Sequence, residues 1–154
     1  MEVKIETLNE KETESLGKRI GEQLFPGAVI YLDGELGAGK TVFARGIALG
    51  LGVKTPITSP TFVLLQQHQG RLPFYHFDLY RLEDEDELYE IGLDECLDGD
   101  GVSLIEWAGK FPEYLHWPAL TVRINNLGAC KRQICLCAEN KPYQQILEAL
   151  TAGR

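Results

Sequence analysis

Apolar positions recur along this chain with two different periods, and the switch between them outlines its elements. Val3 to Thr7 alternates and reads as a short strand. Asn9 followed by Glu12 has the form of a capping box. Leu16, Ile20 and Leu24 then fall on one helical stripe, which Pro26-Gly27 ends. Ala28-Val29-Ile30-Tyr31-Leu32 is a continuous apolar, β-branched run of the kind a buried parallel strand requires. Val42, Phe43, Ile47, Leu49 and Leu51 return to helical spacing, closed by Gly50 and Gly52.

The second half is richer in strands. Phe62 to Gln69 and Pro73 to Asp78 flank Gly70, so residues 62–78 are expected to form a hairpin. Glu83 to Tyr89 reads as a short acidic helix ended near Gly92, and Leu93 to Leu97 as a second one. After the turn Asp98-Gly99-Asp100-Gly101, Val102 to Glu106 is a short apolar strand. Residues 107–118 read as loop, broken at Phe111-Pro112 and Trp117-Pro118. Leu120 to Asn126 and Gln133 to Cys137 alternate on either side of Asn126-Leu127-Gly128-Ala129 and predict a second hairpin. A last helix starts at Lys141 or Pro142, with Ile146, Leu147 and Leu150 inward. Helices alternate with strands early and hairpins dominate later. This predicts an α/β domain over 1–154 in three layers, a mixed sheet with a parallel core and later antiparallel hairpins.

Between the second strand and second helix lies Gly34-Glu35-Leu36-Gly37-Ala38-Gly39-Lys40-Thr41. It fits G-x-x-x-x-G-K-[ST], the phosphate-binding loop of nucleoside-triphosphate enzymes, in the strand-to-helix context that motif needs. Glycines allow close backbone approach, successive N–H groups form an anion-holding concavity, and the helix start adds its positive dipole end. Lys40 is expected to reach the β- and γ-phosphates and Thr41 to ligate Mg²⁺. The expected ATP contacts are Glu35, Leu36, Gly37, Ala38, Gly39, Lys40, Thr41 and Val42.

Such a loop needs an acid at the end of a neighbouring strand. Asp78 and Glu106 each end one, and in open α/β sheets both strand ends open on the same crevice. Glu106 has the more uniformly apolar strand and is the better metal-organising acid. Its role is either Mg²⁺ ligation, directly or through water, or orientation of the attacking water, while Asp78 could hold metal-bound water or couple the site to the Thr58–Phe62 loop. Ser59, Pro60, Thr61 and Phe62 form a loop able to order on phosphate contact. Trp107 either packs near the nucleotide or fills the core rim, the rim being favoured on chemistry, and His76 is read as structural. Glu83-Asp84-Glu85-Asp86-Glu87 is read as a solvated helix start.

Composition adds limits. Among 154 residues the formal net charge is −8, which argues against a chain that grips a nucleic-acid backbone alone. No apolar run approaches the ~20 residues of a membrane span, and the N-terminus shows no export pattern, so a cytoplasmic location is expected. Cys96, Cys130, Cys135 and Cys137 lack zinc spacing. They are expected to be buried or half-buried thiols of a reducing compartment.

Taken together, Gly34–Thr41, Ser59-Pro60-Thr61-Phe62, His76-Phe77-Asp78-Leu79-Tyr80-Arg81 and Ile105-Glu106-Trp107 resemble the TsaE family, also called YjeE, in order and spacing. The resemblance implies a small bacterial P-loop ATPase. It would serve formation of N6-threonylcarbamoyladenosine in tRNAs that read codons beginning with A. It implies ATP and Mg²⁺ as ligands and a TsaD–TsaB pair as partner, with tRNA engaged indirectly and no membrane contact. Family roles map onto Lys40, Thr41 and Glu106 for nucleotide and metal, Asp78 as second acid, 59–62 as switch-like loop, and Arg132 beside the adenine. Slow turnover without the partner is expected, because no arginine is evidently placed as a finger. Three rivals stand beside this reading: a small-molecule kinase, an interaction protein without chemistry, and a guanine-nucleotide switch through Asn140-Lys141-Pro142-Tyr143.

Overall fold

The structure is a computed structural model that describes residues 1–35, 37–57 and 64–152. Leu36, the Ser59-Pro60-Thr61-Phe62 loop and the expected start of the third strand at Phe62 lie outside the described residues.

The apolar runs become strands β1 (Glu2–Thr7), β2 (Val29–Gly34), β3 (Leu65–Gln69), β4 (Pro73–Asp78), β5 (Val102–Glu106), β6 (Leu120–Gly128) and β7 (Lys131–Ala138). The described residues join them in one sheet of order β1-β7-β6-β2-β5-β4-β3. Its centre, β6-β2-β5-β4, is parallel, and both flanks are antiparallel. All five residues of β5 are buried, which is the two-sided burial that its uniform apolarity demands. The late hairpin runs longer than the alternation suggested, because its turn closes through Ala129 and Cys130, both at positive φ.

Helices cover both faces. On one, α1 (Glu10–Gly21), α2 (Lys40–Gly50) and α5 (Lys141–Ala152) bury Leu16, Ile20, Phe43, Ile47, Ile146 and Leu150 against the sheet. On the other, α3 (Glu85–Glu90), α4 (Leu93–Leu97) and a 3-10 turn at Ala108–Lys110 inside the expected loop enclose Phe77, Leu88, Leu93 and Ile105. The capping box of α1 forms: Glu12 N–H donates to Asn9 Oδ1 at 2.9 Å, and Leu8 N–H to Glu12 Oε1 at 3.0 Å. Asp84 caps α3 in the same way, so that helix begins later than Glu83.

α1 and α2 pack backbone to backbone. A Cβ on Gly17 would sit 2.6 Å from Phe43 O, and one on Gly46 would strike Glu14 O. Glycine at these positions therefore sets how deeply α2 seats, and Lys40 is its first residue.

The four cysteines are free thiols; Cys96, Cys135 and Cys137 are half-buried as expected. Cys130 is exposed, since the hairpin turn carries it away from the sheet.

Candidate functional site

At the carboxyl ends of β2, β5 and β4 lies a cavity of about 480 Å³. Gly37, Gly39, Lys40, Thr41 and Val42 line it from the loop side, and Asp78, Glu106 and Trp107 from the strand ends. The sheet register explains the meeting of the acids. β4 and β5 are parallel neighbours with Asp78 opposite Glu106. Leu79 N–H donates to Glu106 O at 3.1 Å and ties the two strand ends together.

The loop has the backbone its glycines permit. Gly37 and Gly39 adopt φ of 77° and 102°. No side chain caps α2, so its first N–H groups remain available at the cavity. Lys40 is only 7% exposed. Its Nζ lies 3.9 Å from Glu106 Oε1 and 4.2 Å from the centroid of the Trp107 ring. Arg132 reaches in from β7: its Nε–H donates to Ala38 O at 2.7 Å and Nη2–H to Gly37 O at 3.3 Å. Those bonds occupy loop carbonyls, and Ala38 N–H is itself engaged, donating to Glu35 O at 3.0 Å. The donor set suits a polyphosphate. Among the described residues no cluster of three His, Cys, Asp or Glu could hold a metal alone. A cation here would take Thr41 and Glu106 together with phosphate oxygens, the habit of Mg²⁺.

The acids differ in surroundings. Glu106 is 5% exposed, and its Oε2 accepts from His76 Nε2 at 2.6 Å. Asp78 is half-buried, and its Oδ1 accepts from Tyr80 N–H at 3.0 Å. Burial pushes the Asp78 carboxyl above its ordinary range; the Tyr80 amide opposes this, the Glu106 charge adds to it, and Lys40 and His76 oppose it.

A family model described as "Threonylcarbamoyl adenosine biosynthesis protein TsaE" matches residues 7–134, a span that holds all of these groups. The chain belongs to the TsaE family. The tRNA threonylcarbamoyladenosine biosynthesis protein TsaE of Bacillus subtilis is 40% identical over 151 residues, covering 97% of this chain and 94% of that protein. The protein of the same name from Treponema pallidum is 43% identical over 128 residues, 80% of this chain and 92% of its own. The crystal structure of Bacillus subtilis YdiB superposes with a TM-score of 0.83 at 36% identity, covering 99% of this chain and 96% of that one.

Within this TsaE-family chain the structure gathers Lys40, Thr41, Asp78, Glu106 and Arg132 around one cavity. His76, read as structural, is fully buried and bonded to Glu106. Alternation along β4 puts His76 on the face of Asp78, one level below it. Trp107 packs at the rim of the core cluster around Phe77 and Ile105, and its ring also lies under Lys40, with Tyr80 packed on it at 4.9 Å. Arg81 also lines the cavity. Glu10, Thr13 and Cys130 complete the wall near Arg132. No periodicity foretold them, since the pairing of Thr7 with Arg132 brings them there.

The guanine-reading rival loses its ground. Tyr143 is buried, accepting from Val29 N–H at 2.9 Å and donating to Pro118 O at 3.2 Å, and does not line the cavity.

Proposed function

We infer that this chain is an ATP hydrolase that supports N6-threonylcarbamoyladenosine formation in tRNA, acting in the cytoplasm on a TsaD–TsaB pair. The observation that carries the reading is the convergence of Lys40 and two strand-end acids, Asp78 and Glu106, on one cavity beside the glycine loop, in a TsaE-family chain.

Each residue has a task that follows from its surroundings. The loop N–H groups and the start of α2 hold the phosphates, and Arg132 keeps the loop carbonyls turned away from them. Lys40, held between Glu106 and Trp107, directs its charge to the β- and γ-phosphates. Thr41 and Glu106 would hold Mg²⁺, which when bound would supply charge neutralisation at the phosphates. Asp78 orients the attacking water and accepts its proton: its raised affinity for a proton suits a base, and one oxygen stays free of the Tyr80 amide. Glu106 is engaged by His76 and Lys40, so it serves as ligand rather than base.

No helix of the described residues is long and apolar enough to cross a membrane. A protein-directed ATPase also needs no basic nucleic-acid surface, in keeping with the net charge of −8. The test is phosphate release by wild type and Glu106→Ala, each with and without the TsaD–TsaB pair and tRNA. Wild type should be accelerated by the pair, while the variant loses turnover and tRNA modification and still binds ATP. A rate unmoved by the pair overturns the partner assignment. No phosphate release under any condition overturns the hydrolase reading.

A further inference from the structure

We propose that His76 is a positioning residue that holds the Glu106 carboxylate with one oxygen anchored in the core and the other presented to the cavity. Its enzymatic consequence rests on the ATPase reading; its structural part does not.

His76 is fully buried on β4, one level below Asp78. A carboxylate oxygen only accepts, so the 2.6 Å contact fixes Nε2–H as the donor to Glu106 Oε2. The other ring nitrogen, Nδ1, is buried with no hydrogen-bond partner among the described residues. A buried polar atom left bare has a cost, and it calls for an explanation. Here the bond on the opposite side of the ring supplies one. The ring plane is set by stacking on Phe74, with centroids 6.1 Å apart and 21° between planes. Tautomer, plane and partner are therefore all specified beneath the cavity floor.

The consequence is a division of labour within one carboxylate. Oε2 points to His76, and Oε1 lies 3.9 Å from Lys40 Nζ, facing the site. Glu106 and Lys40 are both nearly buried, where opposite charges attract strongly. A carboxylate free to rotate would turn both oxygens onto the ammonium and close the pair on itself. Anchored by His76, it cannot, and Lys40 keeps donors for a phosphate while Oε1 remains available to a cation. A histidine that merely filled space would behave differently, since any apolar side chain of similar volume would then serve.

The experiment compares wild type, His76→Leu, His76→Gln and Glu106→Ala. Glutamine presents an amide N–H at about the reach of Nε2, and leucine presents none. In the free protein, heteronuclear NMR of the imidazole should show the Nε2–H tautomer, with resonances that move in Glu106→Ala. An unmoved ring overturns the proposal. Calorimetry should show His76→Leu losing about 10–100-fold in Mg²⁺-dependent ATP affinity, the usual range for a group that orients a metal ligand. Binding in chelator should change much less, and His76→Gln should recover most of the loss. Turnover should fall with the same ranking, and His76→Leu should cost nothing further on the Glu106→Ala background. If wild type binds Mg²⁺–ATP without hydrolysing it, the ATPase reading falls while NMR and calorimetry still decide for His76. If His76→Leu does not fold, the Gln variant and the Glu106→Ala spectrum decide. A folded His76→Leu protein that binds Mg²⁺–ATP like wild type overturns the proposal.

Discussion

The surroundings of Asp78 disfavour its charged form. Its folded-state affinity for protons is raised, chiefly by burial. Ionised Asp78 therefore costs the fold stability at neutral pH. That cost is absent below the ordinary aspartate value of about 3.9 and complete above the raised folded value. Asp78→Asn keeps the oxygen that accepts from Tyr80 and removes the charge. The variant should melt higher than wild type at neutral pH, with the gain shrinking as pH falls toward the ordinary range. Its turnover should fall by about 10²–10⁴-fold, the usual contribution of a positioned base. Parallel melting curves and phosphate release read both, and a variant no more stable at neutral pH would mean the carboxylate is well solvated.

At the level of elements, the α1–α2 contact is the part of the scaffold with least tolerance. Gly46 admits no Cβ without striking Glu14 O, and backbone cannot yield as a side-chain tip would. Gly46→Ala should destabilise by about 1–3 kcal/mol through overpacking, measured by denaturant unfolding. An unchanged midpoint would show that the helices separate freely. The exposed Arg45–Glu14 ion pair across the same seam, at 3.6 Å, adds little by comparison. The strand–loop–helix unit was legible because eight residues dictate its backbone, and both acids because each ends an apolar run. What could not be read was adjacency. His76 meets Glu106 only because β4 and β5 are neighbours, and sequence does not state strand order. Arg132 reaches the loop from a hairpin nearly a hundred residues later, a separation over which no local period speaks.

Seen whole, the molecule sets one sheet between two helical layers, with its chemistry at the carboxyl edge of the parallel strands. The antiparallel flanks lengthen the sheet and deliver Arg132 and the start of α1 to one end of the cavity. The chain has two tryptophans, and they divide between separate neighbourhoods. Trp107 lies under Lys40 in the cavity, whereas Trp117 donates to Asp98 Oδ1 at 2.8 Å and stacks on His116 at 4.8 Å. A ligand that draws the ammonium off the indole changes the polarity felt by one fluorophore and not the other. Trp117→Phe should thus yield a protein whose remaining emission shifts when ATP is added and stays constant in Lys40→Ala. A silent spectrum in the Trp117→Phe protein, with binding confirmed by calorimetry, would place the indole outside the ligand's reach. The lysine-on-indole contact would then give this chain a built-in optical gauge of its own occupancy, readable without any label.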